Sequence, residues 1–148
     1  MSVVVGVSTN GVRLPISRDR VAAVAQAVLR SERVGEALLS VTFVSNAAIR
    51  SLNRKHLKRA GVTDVISFGF RRTGRQSPIL GDIYIAPDVA RTSARANDVN
   101  MREEIVRLVV HGTLHVLGYD HPDSDGRTRS AMWRKQERLV RRLAAGTA

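Results

Sequence analysis

Apolar residues in this chain recur with two rhythms, alternation and a three-to-four spacing, which predict short strands interleaved with amphipathic helices. Val3 to Val7 is a β-branched run that predicts a first strand, and Asn10-Gly11 turns the chain into Val12-Arg13-Leu14-Pro15. Ser17 can cap a helix over about 18–31, whose stripe is Val21, Val24, Ala25, Val28 and Leu29, with Arg18, Arg20 and Arg30 elsewhere. Ala37 to Val44 predicts a second strand, and Ser45-Asn46 can cap a helix over about 46–56. That helix turns Ile49 and Leu52 inward and Arg50, Arg54 and Lys55 outward. The following His56-Leu57-Lys58-Arg59-Ala60-Gly61 is a basic loop, either a solvated charge run or a rim that touches phosphate.

Residues 63–70 alternate as a half-buried strand, with Val65 and Ser67 on one face and Ile66 and Phe68 on the other. A basic, turn-rich connection over 71–78 leads to Ile79–Ile85, a second strand expected to pair with the first as a long-tipped hairpin. Pro87 and Asp88 open a helix over about 87–96, which Asn97-Asp98 ends. Asn100 with Glu103 has the form of a capping box for the next helix. Ile105, Val106, Leu108, Val109, Val110, Leu114, Val116 and Leu117 make that helix apolar nearly all round, which predicts a central position. Pro122 and Asp123 are expected to open a last helix running to about Ala144. Met132, Trp133, Leu139, Val140 and Leu143 are its apolar set, and arginines crowd its outer face.

The central helix also carries the chemistry. Three of the chain's four histidines lie within His111-Gly112-Thr113-Leu114-His115-Val116-Leu117-Gly118-Tyr119-Asp120-His121. A spacing of four puts His111 and His115 on one helix face, and Gly118 can take the positive φ that ends a helix and returns the chain toward His121. Core packing explains one histidine on an apolar helix more readily than three in this pattern. Three imidazoles with an open fourth position is how a catalytic zinc is held, with a water whose pKa the metal lowers. The spacing is that of one class of metalloproteases, but those carry glutamate as general base directly after the first histidine. Here that position is Gly112, which argues against peptide hydrolysis. Phosphodiester cleavage instead asks for a Lewis acid and for arginines that neutralise phosphate charge.

Composition agrees with that direction. The 148 residues carry a formal charge of +11, with 24 Lys and Arg against 13 Asp and Glu. Such a field attracts polyanions, nucleic acid above all, although arginine-rich composition also follows from a high G+C genome. With no cysteine there is neither disulfide nor thiolate ligand. No apolar run is long enough to span a membrane and the N-terminus lacks the form of a signal peptide, so a soluble, cytoplasmic protein of one domain over 1–148 is expected. Asp64 and Asp82 sit near or within strands that otherwise look buried, and each invites a role. Their ordinary roles would be a turn cap for Asp64 and an arginine pair for Asp82.

The histidine run, together with Thr63-Asp64-Val65-Ile66-Ser67-Phe68, Leu80-Gly81-Asp82-Ile83, Leu52-Asn53, Met132 and Glu137, resembles the bacterial YbeY family of rRNA-processing endoribonucleases over about residues 45–140. The resemblance implies a single metallohydrolase domain of α/β (α+β) class, a small mixed four-stranded sheet with about five or six helices around a central zinc-binding helix. It implies one zinc per chain on His111, His115 and His121, and cleavage of single-stranded RNA in 16S rRNA 3′-end maturation and ribosome quality control. The small ribosomal subunit and an assembly GTPase are the partners it implies. Lys58, Arg59, Thr63, Asp64, Ser67 and Asp82 are the expected substrate contacts. Many members carry an arginine four residues after the asparagine of the Leu-Asn pair, where this chain has Leu57. Arg59, two residues on, is expected to reach the same phosphate and to count with the histidines as catalytic. Two alternatives compete: an assembly factor whose zinc is structural, and a small zinc metallopeptidase using Asp120 or Asp82 as base.

Overall fold

Four strands and five helices are found along the residues that the computed structural model describes: 2–57, 61, 63–70, 74, 77–119 and 130–145. The order is β1 (Val3–Thr9), α1 (Arg18–Ser31), β2 (Ala37–Phe43), α2 (Asn46–Leu57), β3 (Val65–Gly69), β4 (Ile79–Ile85), α3 (Pro87–Ala96), α4 (Met101–Val116) and α5 (Ala131–Ala145). The strands form one mixed sheet in the order β1-β2-β4-β3. β1 and β2 are parallel, as are β2 and β4, and α1 makes the crossover that parallel neighbours require. β3 pairs antiparallel with β4 from Val65↔Ile85 to Gly69↔Gly81, which is the expected hairpin.

Local chemistry sets the helix ends. Ser17 accepts a hydrogen bond from Arg20 N at 3.0 Å, and Ser45 accepts one from Ala48 N at 3.2 Å. Asn100 Oδ1 accepts from Glu103 N at 2.7 Å, while the Glu103 carboxylate turns to Arg107 at 3.1 Å and takes no further part in the cap. α5 begins later than the expected Pro122, a correction that Ser130 explains: its hydroxyl accepts from Trp133 N at 3.1 Å and caps the helix from outside. Residues 120–129 lie outside the described residues. β3 is also shorter than the 63–70 expected, starting after Thr63-Asp64 and ending at Gly69.

Alternation gives the sheet two unlike faces. Leu39, Val41, Phe43, Ile83 and Ile85 point into the main core with α1, α4 and α5, and all are buried. The other face carries Val4, Leu38 and Leu80, all exposed, beside the Ser40–Asp82 pair. α2 covers only one end of it, where Ile49 packs with Val44, Ile66 and Ala86, and Phe68 and Tyr84 meet edge to face.

α4 lies unusually close to the sheet. A Cβ on Gly112 would stand 2.8 Å from Ile83 Cγ2 and 3.2 Å from Ser67 Oγ. Four residues on, Val116 fills the trough over the paired Gly69 and Gly81. A Cβ on Gly81 would meet Val116 Cγ1 at 2.5 Å, and one on Gly69 would meet the Val116 carbonyl oxygen at 2.9 Å. Interiors packed this densely tolerate extra atoms poorly. Gly69→Ala isolates the effect, because alanine is otherwise the better strand residue and the obstacle is backbone. The variant is expected to lose about 1–3 kcal/mol in urea unfolding; an unchanged midpoint would show that α4 is not held this close.

Candidate functional site

Gly112 and Val116, four apart, face the sheet, so His111 and His115 form the neighbouring stripe, turned by about 100°. The two rings meet edge to face, with centroids 4.6 Å apart and planes at 75°. His111 is 7% exposed, and its Nδ1 lies 2.6 Å from Oε1 of Gln136 on α5. His115 is half-buried.

α4 ends at Val116, directly after His115, as Gly118 predicts. Gly118 adopts φ +102°, its N–H bonds to His115 O at 2.9 Å, and Tyr119 N–H reaches back to Leu114 O at 3.0 Å. That is a Schellman closure, and it turns the chain sharply just after His115. Tyr119 is then anchored: its hydroxyl donates to Glu32 at the end of α1, and Lys135 of α5 pairs with Glu32 at 2.8 Å and stands 5.3 Å from the Tyr119 ring centroid. Burial pushes the Glu32 carboxyl up, but the hydrogen bonds from Lys135 and Tyr119 and the Lys135 charge outweigh it and hold the pKa low. The third expected ligand, His121, lies outside the described residues, as does Asp120. Among the described residues, no group of three or more His, Asp or Glu side chains is gathered closely enough to hold a metal.

Behind the histidines stands a polar network in which Glu137, one of the residues that carry the family resemblance, is joined by Gln136 and Arg107, to which the sequence assigned no role. Gln136 Nε2 donates to Glu137 Oε2 at 2.9 Å, and Arg107 on α4 grips Glu137 with two hydrogen bonds of 3.0 Å. Arg107 also reaches Glu104 and Glu103, each at 3.1 Å. Hydrogen bonding to Glu137 raises the Arg107 pKa despite partial burial. Burial pushes Glu137 up, but the hydrogen bonds from Arg107 and Gln136 and the charges of Arg107 and Arg141 hold it below the usual carboxylate range. The signal for Gln136 was present in the sequence: it interrupts the buried stripe of Met132, Leu139 and Val140, and a polar residue at such a position needs a partner.

The other expected site residues divide. Ser67 lies on the α4 side of the sheet, against Gly112. Thr63 and Asp64 just precede β3 and are half-buried, and Asp64 O accepts from Ala86 N at 2.9 Å. Asp82 alternates with Gly81 and Ile83, so it points to the opposite sheet face from the histidines. Its hydrogen-bond partner there is Ser40 at 2.6 Å, where an arginine was expected. Lys58 and Arg59 lie outside the described residues, although Asn53, buried in α2, ties the far side of their loop by donating to Gly61 O at 3.3 Å.

Comparison with known proteins adds a family. The model of the family described as Endoribonuclease YbeY matches residues 8–144. The Endoribonuclease YbeY of Pelotomaculum thermopropionicum is 38% identical over 125 residues, covering 80% of this chain and 81% of its own. That of Bacillus subtilis is 36% identical over 122 residues, covering 74% and 76%. The solution structure of TM1509 from Thermotoga maritima superposes with a TM-score of 0.61 over 96% of this chain and 90% of that one. At 23% identity it attests the fold.

The network carries a pH signature. A carboxylate whose pKa is depressed by folding contributes stability above its unfolded value, and that contribution is lost as pH falls through the folded one. Glu137→Gln is therefore expected to melt below wild type at neutral pH. The gap should begin to close below about pH 4.5, the ordinary glutamate value, and narrow further as the pH falls through the depressed folded-state pKa. A gap that stays constant across that range would remove Glu137 as the ionised centre of the network.

Proposed function

Because this chain belongs to the endoribonuclease YbeY family, we propose that it is a zinc-dependent endoribonuclease specific for single-stranded RNA. Its place is 16S rRNA 3′-end maturation and ribosome quality control in the cytoplasm, with the small subunit and an assembly GTPase as partners. The observation that carries the reading is the imidazole pair of His111 and His115, edge to face on the helix whose Gly112 packs against Ile83 and Ser67 of the sheet. The donor set fits zinc: neutral nitrogens at one-turn spacing, one of them hydrogen-bonded through its other ring nitrogen, as metal-bound histidines generally are. His121 is the proposed third ligand. When bound, the ion would supply Lewis acidity toward the phosphodiester and acidify water.

The chain's own residues supply the rest. The charge of +11 draws RNA to the surface and makes binding salt-dependent. Lys58 and Arg59 are the proposed phosphate contacts, Arg59 serving where the family arginine is replaced by Leu57. Thr63, Asp64 and Ser67 complete the substrate side in and just before β3. Asp82 is left out of that set, being on the far face of the sheet. A peptidase reading is disfavoured by Gly112, because a glutamate base there would start from a Cβ already in contact with Ile83 and Ser67. No helix among the described residues is long and apolar enough to cross a membrane.

Pure protein incubated with single-stranded and duplex RNA is expected to cut only the former, and a chelator should abolish cutting while the circular dichroism spectrum persists. His115→Ala should be inactive, and Arg59→Ala should slow cleavage without weakening zinc binding. Cleavage that survives both the chelator and His115→Ala would refute the proposal, and unfolding on metal removal would point to a structural ion.

A further inference from the structure

We infer that Gln136 is a positioning residue for the metal: it fixes the tautomer of His111 so that the lone pair sits on Nε2. The inference rests on the zinc reading above and adds a residue and a function to it. Gln136 is 2% exposed, so its amide has no water to satisfy it and must find both partners inside the protein. One is the carboxylate of Glu137, which only accepts, so the amide must present its nitrogen there, at 2.9 Å. The carbonyl oxygen is then left to face His111 Nδ1 at 2.6 Å, and an oxygen that only accepts requires a proton on that nitrogen. A neutral imidazole protonated at Nδ1 carries its lone pair on Nε2. Arg107 keeps the first step in place by holding Glu137 with two hydrogen bonds and bridging to Glu103 and Glu104 on its own helix. The polarity of one side chain on α5 thus dictates which nitrogen of a histidine on α4 is a ligand. Removing such an outer partner typically costs about 10–100-fold in metal affinity.

The test uses Gln136→Met, which removes the acceptor but suits the surrounding apolar stripe, and Gln136→Glu, which restores an acceptor. Long-range nitrogen-15 spectra of the metal-free protein should show His111 protonated at Nδ1 in wild type and in Gln136→Glu, and a mixture of tautomers in Gln136→Met. Zinc titration against a chromophoric chelator should show affinity weakened about 10–100-fold in Gln136→Met and rescued in Gln136→Glu, with melting curves confirming that each variant folds. Unchanged tautomer or unchanged zinc affinity in a folded Gln136→Met would overturn the inference. Failure of the zinc reading looks different: wild type itself would take up no zinc, and the positioning claim would fall with it.

Discussion

The closeness of α4 to the sheet is the constraint on which the rest depends. Gly112 lets the helix touch Ile83 and Ser67, and one turn later Val116 drops over the paired Gly69 and Gly81. Contacts on both turns fix the rotation of the helix about its axis as well as its distance. Once that rotation is fixed, the stripe bearing His111 and His115 can only face sideways, toward α5 and the returning chain. The same contact explains why the site lacks a glutamate after its first histidine. That position is where the helix meets the sheet, and a side chain there would lift the helix off it.

The second support is electrostatic. Arg107 gathers Glu103, Glu104 and Glu137, two from its own helix and one from α5, so that α4 and α5 are tied at the level of the histidines. Half-buried charges are costly unless fully paired, and here each carboxylate shares one planar guanidinium whose fork suits several acceptors. Glu32, Tyr119 and Lys135 make a similar tie at the end of α4, joining α1, α5 and the segment beyond Gly118. These two ties hold α5 and the chain leaving α4 against the helix, and along α4 they bracket His111 and His115.

Much of this was legible in the sequence because it is written in local rules. The stripe of Val21, Val24, Ala25, Val28 and Leu29 placed α1 to the residue, and Gly118 announced the Schellman turn. The histidine spacing identified the helix face. What periodicity could not give was contact between elements distant in sequence. Gln136 reaches His111 across 25 positions, Arg107 reaches Glu137 across 30, and neither pairing has a local signature. Asp82 shows the same limit from the other side. Alternation with Gly81 and Ile83 says that it faces opposite to them, but only the packing of α4 says which face is the site. α5 starts at Ala131, where Ser130 caps it, and a lone serine there is a weaker sequence signal than Pro122-Asp123, which lie outside the described residues.

The proposed function requires that this packing deliver a three-histidine zinc centre. X-ray absorption at the zinc edge, on the zinc-loaded full chain and on His121→Ala, tests it most directly. One zinc per chain is expected, with three imidazole nitrogens at about 2.0–2.1 Å in wild type and two in the variant. A wild-type shell with two or fewer imidazoles, or one unchanged by His121→Ala, would contradict it.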